Sequence, residues 1–306
     1  MYGLIIIGAG PAGMTAAVYA ARKRINTLLI SGNVGGQGLT SWLVENYMGY
    51  QFIEGPELMR KFEEQVKQFP ADIKIEIGGR VERLSRMDRG FEVKTDRGET
   101  HQAKAVIFAT GKRPRELDVH GEKELLGRGV TYCATCDGPL FAGMKVAVIG
   151  GGNSALEAAD DMVKIADHVY LVSLAPLTSD QILIDKVKGA NNLTMFLEHE
   201  VVEIKGGNFV EGVKVRDLKS KQEKELEVGG VLIEIGLIPN SDLIKEVVTL
   251  NSLGEIEVSC ANETGVPGLF AAGDVTNTPE KQIVVAAGEG AKAALQAHRY
   301  LQRLSE

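Results

Sequence analysis

Residues 133–138 read CATCDG, so two of the chain's three cysteines stand three positions apart with a carboxylate directly behind them. Sulfurs at this spacing can supply half of a zinc site, form a static bond or packed thiols, or open and close as a disulfide that exchanges with a partner. Zinc needs further ligands, yet only Cys260 remains, and the five histidines, at 101, 120, 168, 199 and 298, follow no ligand spacing. A static bond suits a reducing compartment poorly. Exchange is the chemistry this pair suits best, with the zinc and static readings as alternatives. It needs two unlike sulfurs: one accepts electrons, and the other attacks or releases the partner's disulfide through a mixed intermediate. Asp137 can give a proton to the sulfur that leaves, since a carboxylate beside a thiolate has a raised pKa; its plainer role is an ordinary turn carboxylate. Cys260 reads as a bystander on a strand or loop.

Electrons must be brought to such a pair, and the rest of the chain contains the parts. Residues 4–22, LIIIGAGPAGMTAAVYAAR, pass from an apolar strand through Gly8, Gly10 and Gly13 into an alanine-rich helix; residues 146–163 repeat the pattern through Gly150, Gly152 and Ala155. Glycines there allow a tight bend and close approach of a pyrophosphate, whose charge meets the positive end of the helix, while the third small residue lets helix and strand pack closely. One such fingerprint is weak; two in matching contexts are strong. Residues 104–114 and 229–239 each read as a later apolar strand followed by a Gly and a Pro-containing turn.

With 306 residues, 44% apolar and 25% charged, the chain has room for two domains of an ordinary globular protein. A net charge of −7 offers no broad attraction to nucleic acid or an anionic membrane, so neither is expected as a partner. The opening MYGLIIIGAG has no basic leader and reads as a buried strand, not a signal peptide or a membrane span. Three cysteines point to a reducing cytoplasm. Strands alternate with helices, with second strands at 28–31 and 169–173 and an amphipathic segment from Pro56 to Phe69, which predicts a parallel α/β fold. A late strand, 268–274, and a capped helix starting near Thr278-Pro279 and running to the end need a sheet to dock on. The expected architecture is two Rossmann-like dinucleotide-binding domains of three-layer type, the second inserted into the first. Residues 1–114 plus 242–306 form the first and 115–241 the second, with connecting strands near 114–118 and 237–242 as a double hinge.

GAGPAG at 8–13, GGQ at 35–37, EN at 45–46, ATG at 109–111, CATCDG, GGGNSA at 150–155 and AAGDV at 271–275 extend over essentially the whole chain. In these the sequence resembles the low-molecular-weight thioredoxin reductases, class II of the pyridine nucleotide-disulfide oxidoreductases. GVTYCATCDGPLF and KQIVVAAGEGAKAAL look closest to the reductase half of the alkyl hydroperoxide reductase flavoproteins, whose extra thioredoxin-like amino-terminal domains are not expected here. The resemblance implies FAD in the split domain, NADH or NADPH as co-substrate in the inserted one, a thioredoxin-fold acceptor and a homodimer. It implies that Gly8, Gly10, Pro11, Ala12 and Gly13 hold the FAD pyrophosphate, with Ala109, Thr110, Gly111 and Gly273 also in the FAD site. Gly36 and Gln37 would lie along the flavin, Asn46 would face its ring, Asp274 would bind the ribityl chain, and Gln282 with Ile283 would reach the pyrimidine edge. Gly150, Gly152, Asn153, Ser154 and Ala155 would hold the nicotinamide dinucleotide. Cys136 would be the flavin-facing sulfur and Cys133 the interchange thiol, with the inserted domain swinging between two steps.

An acidic residue normally ends the second strand of an NAD fingerprint, and arginines there accept the extra phosphate of NADP. VYLVSLAPLTSD offers Ser173 and neither marker. NADH is therefore favoured over NADPH, on the likeness to the hydroperoxide reductase flavoproteins. Reduced ferredoxin or another non-nicotinamide donor is the alternative, as is a flavin-bearing redox sensor that need not turn over.

Overall fold

A computed structural model describes residues 1–41 and 43–304; Trp42 and the last two positions of the expected terminal segment, Ser305 and Glu306, lie outside the described residues. The chain opens with β1 (Tyr2–Ala9), α1 (Pro11–Arg22), β2 (Thr27–Val34), α2 (Gly55–Lys67), β3 (Ile73–Ile77), β4 (Val81–Met87), β5 (Gly90–Thr95) and β6 (Thr100–Phe108). It continues through the short β7 (Lys112–Pro114) to β8 (Val130–Thr131), α3 (Ala134–Asp137), β9 (Lys145–Ile149), α4 (Asn153–Met162), β10 (His168–Ser173), α5 (Gln181–Lys188) and β11 (Leu193–Leu197). Then follow β12 (His199–Gly206), β13 (Val210–Asp217), β14 (Glu223–Glu227), β15 (Gly230–Ile233), β16 (Leu237–Pro239), β17 (Leu269–Ala271) and α6 (Ile283–Arg303).

Two compact units result: Met1–Leu39 with Tyr47–Arg113 and Ile238–Glu306, and Pro114–Leu237 with Thr40–Asn46. The segment Thr40–Asn46 is thus grouped with the second unit, whereas the sequence alone predicts 1–114 as one piece. β7 and β16, where the chain passes between units, pair as a two-stranded sheet. β7 starts at Lys112 and β16 ends at Pro239, so the connecting strands lie slightly earlier than the expected 114–118 and 237–242.

In the first unit the strands run β3-β2-β1-β6, and the same edge of β6 pairs first with β5 and then with β17. The β1, β2, β3, β6 and β17 pairings are parallel, whereas β4, β5 and the start of β6 form an antiparallel meander. Leu4, Ile5 and Ile6 are fully buried, as expected of a parallel strand covered on both faces. The apolar face of the sheet continues into Leu84, Phe91 and Val93 of the meander and Ile244, Ile256 and Val275 of the returning chain. The second unit repeats the plan: β11-β10-β9-β15-β8 is parallel, beside an antiparallel β12-β13-β14 sheet. This is the α/β architecture of two Rossmann-like folds. The meanders have no counterpart among the sequence expectations, because their strands carry charged residues on alternate positions and resemble surface loops.

The last helix starts later than expected. Gln282, not Thr278, is its N-cap, with extended backbone. The Thr278 hydroxyl is instead bonded to Glu289, two turns inside α6, and Lys281 donates to the Thr276 carbonyl at 2.7 Å. A threonine whose hydroxyl serves a buried carboxylate is not available to cap the helix behind it.

Candidate active site

Cys133 and Cys136 are joined by a disulfide, which fits the exchange reading and leaves no pair of thiolates for zinc. The bond spans α3, a single turn that Cys133 caps: its Sγ accepts from the Cys136 N–H at 3.2 Å. Both cysteines are partly exposed, and Cys260 is exposed and free. The described atoms close enough to share an ion, from Glu76, Glu99 and His101, lie within 4.8 Å of one another in the first unit, where Lys74 already neutralises Glu76 at 2.6 Å.

Asp137 ends α3 and is buried. Burial pushes its carboxyl above the ordinary aspartate range, partly offset by the Thr131 hydroxyl, which donates to Oδ2. The other oxygen, Oδ1, is buried without a hydrogen-bond partner. An orphaned carboxylate oxygen in such a place is costly when charged and comfortable when it carries a proton. Thr131 also accepts the Cys133 N–H at 3.1 Å, so one hydroxyl ties the start of the helix to its terminal acid.

Sequence reasoning missed a second carboxylate. Glu234 directly follows β15, its N–H donating to the Ile149 carbonyl at 2.8 Å, and its Oε1 accepts the Ala134 N–H at 3.0 Å. Burial pushes its carboxyl up to about 7, the Ala134 bond lowering it and the like charge of Glu157 raising it. A lone acid in the apolar run VLIEIG was the available signal.

The glycine turns form cradles that side chains would fill. A Cβ on Gly8, at φ +108°, would stand 2.3 Å from the Ala109 carbonyl oxygen, and one on Gly13 would stand 1.8 Å from that of Gly8. Gly10, by contrast, has nothing within 4 Å of a Cβ, and neither has Gly111. The turn is therefore closed where strand and helix must touch and open where a phosphate group would approach. Pro11 is the first residue of α1 and Ala12 is buried beneath the turn, with the Gly273 Cβ position 2.9 Å from its methyl. The Gly36 Cβ position faces the Gly10 Cα at 3.5 Å. Gln37 donates to Asp274 at a long 3.4 Å, and burial raises the Asp274 carboxyl. Thr110 exchanges two bonds with Asn240, at 2.8 and 2.9 Å. Gly273 donates to buried Glu289 at 2.8 Å, while Gln282 and Ile283 open α6. All these residues belong to the first unit; Asn46 falls in the segment grouped with the second. The first turn fits a dinucleotide pyrophosphate.

The second turn repeats the closed positions. A Cβ on Gly150 would meet the Glu234 carbonyl oxygen at 2.3 Å and the Ala155 methyl at 2.8 Å. At Gly152 the nearest atom to a Cβ is Thr178 Oγ1 at 4.0 Å, and Ser154 is exposed. Asn153 is engaged elsewhere: its side chain accepts from Ser179 Oγ (2.8 Å) and the Asp180 N–H (2.9 Å) and donates to Asp180 (3.1 Å). Ser173 is buried below Gly151 and donates to the Ala175 carbonyl at 2.7 Å. The turn admits a pyrophosphate, but the strand end supplies no carboxylate for a ribose.

A family model described as pyridine nucleotide-disulphide oxidoreductase matches residues 2–290. A Pseudomonas putida relative, named as the F component of alkyl hydroperoxide reductase, is 43% identical over 99% of this chain and 59% of its own length. An NADH dehydrogenase from Bacillus subtilis is 42% identical over 99% of this chain and 59% of its own. The chain thus spans about three-fifths of the length of the curated relatives it matches. Among solved structures, a thioredoxin reductase from Streptococcus pyogenes superposes with a TM-score of 0.94 at 36% identity, covering 99% of both chains.

Proposed function

The chain belongs to the pyridine nucleotide-disulphide oxidoreductase family, and from that premise we propose that it is a FAD-dependent disulfide reductase passing electrons from NADH to a thioredoxin-fold protein. The observation that carries the proposal is the disulfide across α3 with a buried, half-unpartnered carboxylate at the end of the same turn. FAD, when bound, supplies a two-electron carrier that a pyridine nucleotide can charge and a disulfide can discharge. Gly8, Gly10 and Gly13 would form the turn for its pyrophosphate, and Asp274 with Gln37 would offer polar groups to its sugar-like chain.

The residues of the second unit handle sulfur and protons. When two electrons reach the disulfide, the S–S bond breaks, and Asp137, whose proton affinity burial raises, protonates the sulfur that leaves. Thr131 keeps that carboxyl oriented. By family resemblance Cys136 receives the electrons and Cys133 attacks the acceptor, forming a mixed disulfide that Cys136 resolves. Both cysteines are partly exposed, which is compatible with that attack. Among the described residues no helix is long and apolar enough to cross a membrane. A cytoplasmic homodimer is part of this reading.

NADH is favoured over NADPH because no arginine pair follows β10 and because the Bacillus subtilis relative is named an NADH dehydrogenase. One observation favours a second reading: Ser173 spends its hydroxyl on Ala175, leaving a fingerprint without a ribose anchor. Reduced ferredoxin is then the donor. Anaerobic titration of the FAD-loaded protein with NADH, NADPH and reduced ferredoxin in parallel decides between them. Rapid bleaching by NADH is expected; bleaching by ferredoxin alone would overturn the donor assignment. Cys136→Ser should bleach normally yet transfer nothing to a thioredoxin disulfide, and persistent transfer would remove the pair from the reaction.

A further inference from the structure

Glu234 joins two parts of the second unit that the proposed chemistry leaves separate. Its carbonyl oxygen lies against Gly150, in the fingerprint turn, and its carboxylate holds the Ala134 N–H, between the two cysteines. The backbone is fixed by the parallel ladder, since the Glu234 N–H donates to Ile149. Its side chain is therefore anchored at one end by the sheet and at the other by the redox turn. A backbone N–H needs only a neutral acceptor, and Gln would serve as well. The choice of an ionisable group at a half-buried position costs desolvation that Gln would lessen.

We infer that Glu234 is a positioning residue and proton acceptor coupled to the disulfide, binding a proton when Cys133–Cys136 is reduced and releasing it when the bond re-forms. This rests on the disulfide-reductase reading above. In the oxidised protein burial brings the carboxyl to a midpoint of about 7, so it is about half ionised at neutrality and increasingly ionised above it. Reduction by the reduced flavin breaks the S–S bond and delivers two electrons. Asp137 gives its proton to the sulfur that leaves as a thiol and is reprotonated from solvent. The other sulfur remains a thiolate, a new negative charge beside Ala134. That charge raises the proton affinity of Glu234, which takes a proton from solvent. Two electrons and two protons thus convert one disulfide and one carboxylate into one thiol, one thiolate and one neutral carboxyl. By linkage, the protonated carboxyl in turn favours the reduced centre.

The groups that bear on this titration are few in kind. From α4, Glu157 contributes a like charge; from α3 come Asp137 and the Ala134 N–H; the ladder contributes only backbone. Burial and the Glu157 charge raise the carboxyl's proton affinity, the N–H lowers it, and Asp137, while it holds its proton, adds no charge.

The test compares the FAD-loaded full chain with Glu234→Gln, which keeps an acceptor for Ala134 but cannot titrate. Each is poised anaerobically at fixed potentials with redox mediators, and the dithiol is measured by alkylation and mass analysis of the 133–136 peptide across the pH units around neutrality. At fixed potential, the wild-type dithiol-to-disulfide ratio should fall up to about fivefold more than that of E234Q over the pH unit above neutrality, because reduction there takes up between half and one further proton. Equal slopes would overturn the inference and leave the reductase reading standing. A bond that stays closed in both proteins at potentials where the flavin is bleached would instead sink the reductase reading, and this inference with it. Should E234Q not fold, the wild type still decides: its infrared difference spectrum on reduction must show a carboxylate becoming a carboxylic acid, and absence of that band overturns the inference.

Discussion

Gly290 of α6 lies so close to Ala12 of α1 that a Cβ added to it would stand 2.0 Å from the Ala12 carbonyl oxygen. Two positions earlier, Gly288 is exposed and has nothing within 4 Å of its Cβ position. The same substitution should therefore have opposite signs. Gly288→Ala removes backbone freedom from the unfolded chain and should stabilise by up to about 1 kcal/mol. Gly290→Ala forces the two helices apart and should cost roughly 1–3 kcal/mol. Because Ala12 underlies the first glycine turn, G290A should also weaken FAD retention, while G288A should not. Thermal melts and flavin retention on gel filtration check both.

Asp137→Asn should leave flavin reduction by the donor intact and slow disulfide transfer by about 10²–10⁴-fold, the usual worth of a positioned proton donor. Stopped-flow traces separate the two phases. The pH dependence of stability has a definite sign. Burial raises the Asp137 carboxyl in the folded state, so the folded protein binds more protons than the unfolded chain between the ordinary aspartate value and the raised one. Stability contributed by this group is present below the ordinary value and falls as pH rises through that window. D137N removes the fall, and its melting temperature should exceed the wild type's at neutral pH but not at strongly acidic pH.

The first unit contains a buried ion triad: Lys112 meets Glu255 at 2.5 Å and Lys281 meets the same carboxylate at 3.0 Å. Burial alone would raise Glu255, but hydrogen bonds from Lys112, Asn251 and Lys281 outweigh it and hold the carboxyl below the ordinary range. Glu255→Gln removes the carboxylate shared by two half-buried ammonium groups, of which Lys281 keeps only the Thr276 carbonyl, and should cost roughly 3–5 kcal/mol. Lys112→Met should cost less, since Lys281 still neutralises the acid. Glu255 adds stability above the ordinary glutamate value, and this is lost as pH falls through its depressed folded pKa. Denaturant melts at neutral and acidic pH should show E255Q losing its disadvantage in acid.

Ser173→Ala tests the nicotinamide site from the other direction. The hydroxyl is committed to the Ala175 carbonyl, so its loss should cost about 1 kcal/mol of stability. The KM for NADH should stay unchanged. A rise in KM of tenfold or more would show that the hydroxyl turns toward the ribose in the complex.

Where chemistry depends on neighbours in the chain, it was legible early. Cys133, Cys136 and Asp137 are near in space because one helical turn makes them so, and Gly8 through Gly13 bend because successive residues there lack side chains. The fold class followed from the same local signals, two strand-turn-helix patterns with apolar strands too long for one exposed face. The charged meanders and the late start of α6 did not. Thr278 reads as a helix cap until Glu289, eleven positions on, takes its hydroxyl.

By itself the sequence determined which bonds could form and which turns could bend, because spacing along a chain constrains geometry over a few residues. Tertiary structure decided which acids are pushed toward holding protons. Glu234 reaches Ala134 across 100 positions, and Gln37 meets Asp274 across 237. The proton affinity of a carboxyl depends on how much water its neighbours exclude and on which dipoles and charges replace that water. Those neighbours are assembled only when the sheets close.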